Sequence, residues 1–185
     1  PYLNLPVIPD VTIRGELIIK KKLFQDKYAE QFSNPRNFVS GLANSKKLTD
    51  DLKKMVGDLT FIAYEVIHPV MKGSDQMRFL EENWGKHNTV KYELMDTINK
   101  EVMSEYLMEW RENYEYEIDG IIVSQDGIFK RQSKNPDHAF AFKMVLSDQM
   151  VEARVVDVLW APSKDGYLKP RVKIMPVVIG GATIE

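Results

Sequence analysis

Hydrophobic positions along the 185-residue chain change period several times, and the changes divide it into predicted elements. From Val11 to Ile19, apolar and β-branched residues surround a charged centre, Arg14-Gly15-Glu16, which predicts a strand. From Lys20 to Phe32, Leu23, Phe24, Tyr28 and Ala29 fall at helical spacing. Asn34-Pro35-Arg36-Asn37 reads as the break after that helix. A second short helix is predicted over Ser45 to Val56, then a strand from Leu59 to Val66 that ends at His68-Pro69. Gly73 to Gly85 reads as a loop with a short helix. The longest helical pattern runs from Lys91 to Arg111, with Leu94, Met95, Ile98, Val102, Met103, Tyr106, Leu107 and Trp110 on its apolar side.

From Glu117 the period becomes that of strands. Glu117 to Ser124 and Ile128 to Lys130 flank a predicted tight turn at Gln125-Asp126-Gly127, and Ala139 to Leu146 forms another strand. Val151 to Trp160 and Leu168 to Val178 are predicted strands joined by Pro162-Ser163-Lys164-Asp165-Gly166, a run of turn formers. The pattern is α+β, antiparallel sheets with flanking helices. A domain boundary near residue 148 separates residues 1–148 from residues 149–185.

Composition changes this picture little: 44% hydrophobic and 28% charged residues are ordinary for a globular chain with a core. The net charge of −2 gives no sign of the basic surplus that phosphate neutralisation favours, so any nucleic-acid contact must rest on local patches. The absence of cysteine excludes disulfides and thiolate metal sites within these residues. No apolar run approaches the roughly 20 residues of a membrane-spanning helix. The chain starts without methionine and stops in mid-pattern, so both ends read as cuts.

Charges beside or within apolar strands raise the question of chemistry. Glu16 precedes Leu17-Ile18-Ile19, Asp119 lies in an Ile/Val run and Lys143 stands between Phe142 and Met144. Each alone has a plain explanation, because alternate strand residues face solvent. His68 and His138 read as loop or surface residues, and Met95, Met103 and Met108 as core filler of the long helix.

The order of the elements is more specific than any one of them. Arg14-Gly15-Glu16, Asn34-Pro35-Arg36-Asn37, Phe61-x-x-Tyr64, Glu117-Ile118-Asp119-Gly120-Ile-Ile-Val123 and Ala141-Phe142-Lys143 follow in that sequence. The series resembles the nucleotidyltransferase motifs of NAD⁺-dependent DNA ligases. Lys164-Asp165-Gly166-Tyr167-Leu168-Lys169-Pro170 and Pro176-Val177-Val178-Ile179-Gly180-Gly181-Ala182-Thr183 resemble the start of the family's oligonucleotide-binding (OB) fold.

The resemblance implies an ATP-grasp-like nucleotidyltransferase domain followed by the first strands of an OB-fold barrel. It implies that Glu16 bonds the adenosine ribose, Tyr64 stacks on adenine and Arg36 holds phosphate. Asp119 positions the nucleophile or Mg²⁺, Lys143 neutralises the α-phosphate, and Arg111 is a further arginine of the site. Asp119, Lys143 and Arg111 are then the catalytic group, and Glu16, Arg36, Tyr64 and Lys143 bind the cofactor. The implied partners are NAD⁺, AMP and nicked duplex DNA, with no membrane; the full-length protein is expected to be monomeric and cytoplasmic, in a bacterial, phage or viral setting.

Three departures stand out. No Lys-x-Asp-Gly occurs, so the resemblance puts the nucleophilic lysine upstream of Pro1 or on another chain, and the 185 residues alone are expected to be inactive. Ser124 stands where the family has a lysine, with Lys130 as a substitute by reach, and Asn44 stands where it has an arginine, with Lys46 and Lys47 nearby. The module for the nicotinamide half of NAD⁺ and the family's zinc-finger, helix-hairpin-helix and BRCT parts have no counterpart in these residues. Two other readings stay open: an ATP-using polynucleotide ligase or capping-type transferase, and a non-catalytic nucleic-acid-binding relative.

Overall fold

The computed structural model describes residues 5–47, 49–144, 150–179 and 182–185. Among these residues it is a mixed α/β structure of helices and four two-stranded antiparallel sheets. The chain divides into two compact units, Pro1–Met144 and Val145–Glu185. The predicted boundary near 148 lies outside the described residues.

In the first unit, β1 (Thr12–Ile18) pairs with β2 (Thr60–His68). The register shifts between Arg14 and Gly15, so that Arg14 faces Glu65, Gly15 faces Ala63 and Tyr64 is the extra residue of a bulge. Alternation then sorts the side chains. Gly15, Phe61 and Ala63 face α4 (Gly73–Trp84), where Ala63, Val66 and Leu80 form a buried cluster with Ile13, Met77 and Trp84 around it. A Cβ on Gly15 would collide with the Ile62 carbonyl and the Phe61 ring, which accounts for the glycine between Arg14 and Glu16. Glu16, Ile62 and Tyr64 fall on the opposite face.

A second cluster gathers where β1 leaves the sheet. Ile19, Phe24, Tyr28, Phe38, Leu42 and Leu59 pack together, with Tyr28 stacked on Phe38 at 4.3 Å and Phe32 edge-on to it at 5.1 Å. It joins α1 (Lys21–Lys27), α2 (Pro35–Ala43) and α3 (Asp50–Val56) to the end of the sheet. Tyr28 also donates to Asp58 at 2.5 Å.

Several predicted elements need correction. Asn34-Pro35-Arg36-Asn37 does not merely break a helix; it starts one. Asn34 is the N-cap, its Oδ1 accepting from the Asn37 N–H at 2.8 Å, and Pro35 fills the first helical position, where its missing N–H and fixed φ suit a helix start. The helix expected from Ser45 begins only at Asp50, capped by Thr49; Leu48 is outside the described residues. The loop at Gly73 is instead the N-terminus of the 12-residue α4.

The helix predicted from Lys91 is α5 (Lys100–Asn113). Its true start is Asn99, whose side chain accepts from Val102 N–H at 2.9 Å. Upstream, Val90 donates to the Ala63 carbonyl at 2.9 Å and Thr89 forms a parallel bridge to Ala63, so tertiary pairing holds the chain away from helix there. Met95 therefore lies outside the helix and, like Met108, is exposed; neither fills a core.

β3 (Ile121–Ser124) pairs with β4 (Ala139–Phe142), not with Ile128 to Lys130, which form no strand. The strand predicted to Leu146 ends at Phe142, and residues 145–149 lie outside those described. In the second unit, β5 (Val155–Pro162) pairs with β6 (Leu168–Ile174), and β7 (Val177–Ile179) with β8 (Ala182–Ile184). The strand predicted from Leu168 to Val178 is thus interrupted at Met175 and Pro176, and Gly180 and Gly181 are outside the described residues. Trp160, Val158, Leu168, Pro170 and Val172 share one face of the β5–β6 pair, and Lys169, Arg171 and Lys173 the other.

Candidate functional site

The face of β1–β2 turned away from α4 carries Glu16, the buried Ile62 and, at the bulge, Tyr64, which is 42% exposed. Glu16 is exposed and directly opposite Ile62. A bulge re-aims a side chain, and here it presents an aromatic ring beside a strand carboxylate.

Asp119 and Lys143 do not lie inside strands, as expected from the apolar residues around them. Each sits just beyond a strand end, two residues before β3 and one after β4. The register Ile121 to Phe142 brings the two segments together there, and Lys143 Nζ donates to Asp119 Oδ2 at 2.8 Å. Gly120 makes this approach possible: a Cβ there would stand 2.7 Å from the Phe142 carbonyl and 2.8 Å from the Lys143 side chain. The bonded Lys143 ammonium holds the Asp119 carboxyl below its ordinary value; partial burial opposes this, and Arg36 adds a weaker pull in the same downward direction. Arg36 stands in the first turn of α2. Both members remain open, with side chains 71% and 62% exposed.

Arg111, in the last turn of α5, binds the same strand end differently. Its two terminal nitrogens donate to the Asp119 carbonyl at 3.0 Å and the Met144 carbonyl at 3.1 Å. These carbonyls flank the Gly120–Lys143 crossing, so the guanidinium fork ties the two segments where the ladder ends. Its Nε–H is buried without a partner among the described residues. The helix is itself anchored: Lys21 Nζ donates to the Arg111 carbonyl at 2.9 Å, supplying a cation and a donor to free carbonyls at the α5 C-terminus.

The structure thus joins Asp119, Lys143 and Arg111 by direct contact, and sets Glu16 and Tyr64 on one sheet face. Of the substituted positions, Ser124 is exposed at the end of β3, its hydroxyl donating to the Gln125 carbonyl at 3.3 Å. Asn44 caps the C-terminus of α2, its amide donating to the Ser40 carbonyl at 2.8 Å. Sequence reasoning missed Glu65, Arg131 and Asp126. Glu65 pairs with both Arg14 and Arg131, and Asp126 accepts from Ser74; these partners are 51 to 66 residues apart in sequence, and no local pattern signals them.

No helix among the described residues is long and apolar enough to cross a membrane. The family model of the NAD-dependent DNA ligase adenylation domain matches residues 3–146. The chain is 40% identical, over 95% of its length and 27% of the relative's, to a DNA ligase of Acanthamoeba polyphaga mimivirus. It is 34% identical over 95% of its length, and 29% of the relative's, to a candidate DNA ligase of Invertebrate iridescent virus 6. A DNA ligase of the bacterium Sulfurihydrogenibium azorense is 28% identical over 96% of this chain and 28% of its own. The chain spans between a quarter and a third of the length of these curated relatives. With most of its residues inside the family model, the chain belongs to the NAD-dependent DNA ligase adenylation domain family.

Proposed function

We propose that the chain forms the nucleotide pocket of an enzyme that seals nicks in duplex DNA with NAD⁺, through lysyl-AMP and DNA-adenylate intermediates. The observation that carries this reading is the exposed Lys143–Asp119 pair at a strand end held by Arg111. Phosphoryl transfer asks little of a protein beyond position and charge neutralisation, and this group offers both.

Within the pocket, Tyr64 stacks on adenine, since a flat exposed ring gives that contact at little entropic cost. Glu16 accepts from a ribose hydroxyl, a charge-assisted bond. Arg36 and Lys143 bind the phosphates. The attacking lysine belongs to a Lys-x-Asp-Gly segment that the 185 residues do not contain. It must be deprotonated to attack, and nearby cations depress its pKa. Its amine attacks the α-phosphorus of NAD⁺ and nicotinamide mononucleotide leaves. AMP then passes to the 5′-phosphate of the nick, and the 3′-hydroxyl displaces it.

Mg²⁺ would be held here by the Asp119 carboxylate alone, in exchange for its bond to Lys143, with substrate phosphates and water as the remaining ligands. The ion takes one or two protein carboxylates, and Asp119 presents an exposed one. Bound there, the ion supplies charge stabilisation at phosphate oxygens.

The nucleotidyltransferase part is ATP-grasp-like and ends near residue 148; residues 149–185 begin an OB fold. The β5–β6 pair supports this, because its apolar row of Val158, Trp160 and Val172 is exposed and suits the interior of a closed barrel. The test is sealing of a nicked duplex by the full-length protein supplied with NAD⁺ or with ATP. Sealing with NAD⁺ alone is expected; sealing with ATP alone overturns the cofactor.

A further inference from the structure

The two halves of the proposed pocket stand on separate sheets. Glu16 and Tyr64 belong to β1–β2, Asp119 and Lys143 to the end of β3–β4, and among the described residues no strand pairing joins the sheets. A pocket that must place adenine and phosphate at fixed separation needs something else to set the distance. Two contacts from the β3–β4 connection, residues 125–138, reach across.

The first is at α4. Lys72, the N-cap residue, makes no side-chain cap. Asp126 supplies it from the other sheet: Oδ1 accepts from Ser74 N–H and Oδ2 from Ser74 Oγ, both at 2.8 Å, with Lys72 Nζ 3.6 Å away. Ser74 is buried, and α4 packs directly under Ala63 and Val66 of β2. A carboxylate at a helix N-terminus satisfies free N–H groups and meets the positive end of the helix dipole. Asp126 thereby fixes the start of the connection to the layer that supports β2.

The second contact is at the bulge. Arg131 pairs with Glu65, which also pairs with Arg14 at 3.2 Å. Glu65 is the residue after Tyr64, and Arg14 lies two residues before Glu16. The middle of the connection is therefore tied to the place that orients the proposed adenine-stacking ring.

We propose that Asp126 and the Arg131–Glu65 pair are positioning residues that clasp the phosphate-binding end of β3–β4 to the adenine-binding face of β1–β2. The inference rests on the proposed pocket. It makes a claim that general stabilisation does not: opening the clasp leaves each half intact but loses their alignment. Nucleoside contacts, which lie on one sheet, survive. The added affinity of a nucleoside monophosphate, which needs both sheets, falls.

The test measures dissociation constants of adenosine and AMP by calorimetry on the full-length protein. The variants are Asp126→Ala, Arg131→Ala, both together, and Lys143→Ala. The clasp variants are expected to hold adenosine within about twofold of wild type and to weaken AMP about tenfold, the scale of one charged hydrogen bond. Lys143→Ala should weaken AMP as well. If the double variant does not fold, Ser74→Ala carries the test; it removes one hydrogen bond and should shift AMP alone by a few-fold. Unchanged AMP affinity in the clasp variants, with Lys143→Ala impaired, overturns the clasp and leaves the pocket standing. Parallel loss of adenosine and AMP overturns the positioning role. Unchanged AMP affinity in Lys143→Ala overturns the pocket, and the clasp with it.

Discussion

Replacing Lys143 by alanine separates the stabilising and catalytic parts of the site. The ammonium bonds Asp119 at 2.8 Å, but both side chains are well exposed, 62% and 71%. An exposed pair of this kind is worth about 0–1 kcal/mol, so folding should change little. Loss of the cation opposite a reacting phosphate should cost more, at least about 1.4 kcal/mol or tenfold in sealing rate. The variant also frees Asp119. Its carboxyl is held low chiefly by the hydrogen bond from Lys143, so its titration should rise toward the ordinary carboxylate range. The sign follows: a depressed carboxyl pKa stabilises the fold above the unfolded value, and that contribution is lost as pH falls through the folded value. In Lys143→Ala the acid-side loss should shrink. Single-turnover sealing of a nicked duplex, a thermal melt and a carboxyl-resolved NMR titration read the three effects. Sealing within twofold of wild type refutes the assignment of Lys143. A collapse of the melt that accounts for the lost activity refutes the division drawn between stability and chemistry.

Further outcomes follow from single contacts. Tyr64→Phe should retain nucleotide affinity, whereas Tyr64→Ala should lose about 1–3 kcal/mol of stacking, read as AMP affinity. Glu16→Ala should lower sealing about tenfold or more without moving the melting temperature, since Glu16 is exposed. Tyr28 is pushed up to about 12, first by burial and then by its hydrogen bond to Asp58. Its stabilisation is complete below the ordinary tyrosine value of 10 and lost as pH rises toward about 12, so Tyr28→Phe should flatten the alkaline limb of a stability–pH curve. Asn34→Ala removes the N-cap of α2 and should cost about 1 kcal/mol by denaturant unfolding.

What the sequence disclosed about the fold depended on how local each cause was. The β1 and β2 strands follow from alternation, and the glycines of Arg-Gly-Glu and Asp-Gly mark close approaches that the structure contains. Asn34-Pro35 carried a helix-start signal as readable as its break signal: cap residue, then proline at the first helical position. Residues 91–99 have helical spacing, but the chain just before them, at Thr89 and Val90, is held against Ala63, a partner distant in sequence. Asp119 and Lys143 stand out in the sequence as charges among apolar residues, and the folded chain pairs them at 2.8 Å, but just outside the strands that the pattern predicts, because apolar neighbours extend past the ladder that Gly120 ends. The order of motifs identified the family; the ties at Asp126 and Glu65 depend on contacts that only the folded chain makes.

The central claim is that Glu16, Arg36, Tyr64, Asp119 and Lys143 form one receiver for the adenylate of NAD⁺. Transfer of radiolabelled AMP from adenylate-labelled NAD⁺ to the full-length protein, without DNA, tests it most directly. A covalent protein adduct is expected with NAD⁺ and none with labelled ATP, formed about tenfold or more slowly in Glu16→Ala and in Lys143→Ala. Labelling by ATP instead of NAD⁺, or equal labelling rates in wild type and both variants, would contradict it.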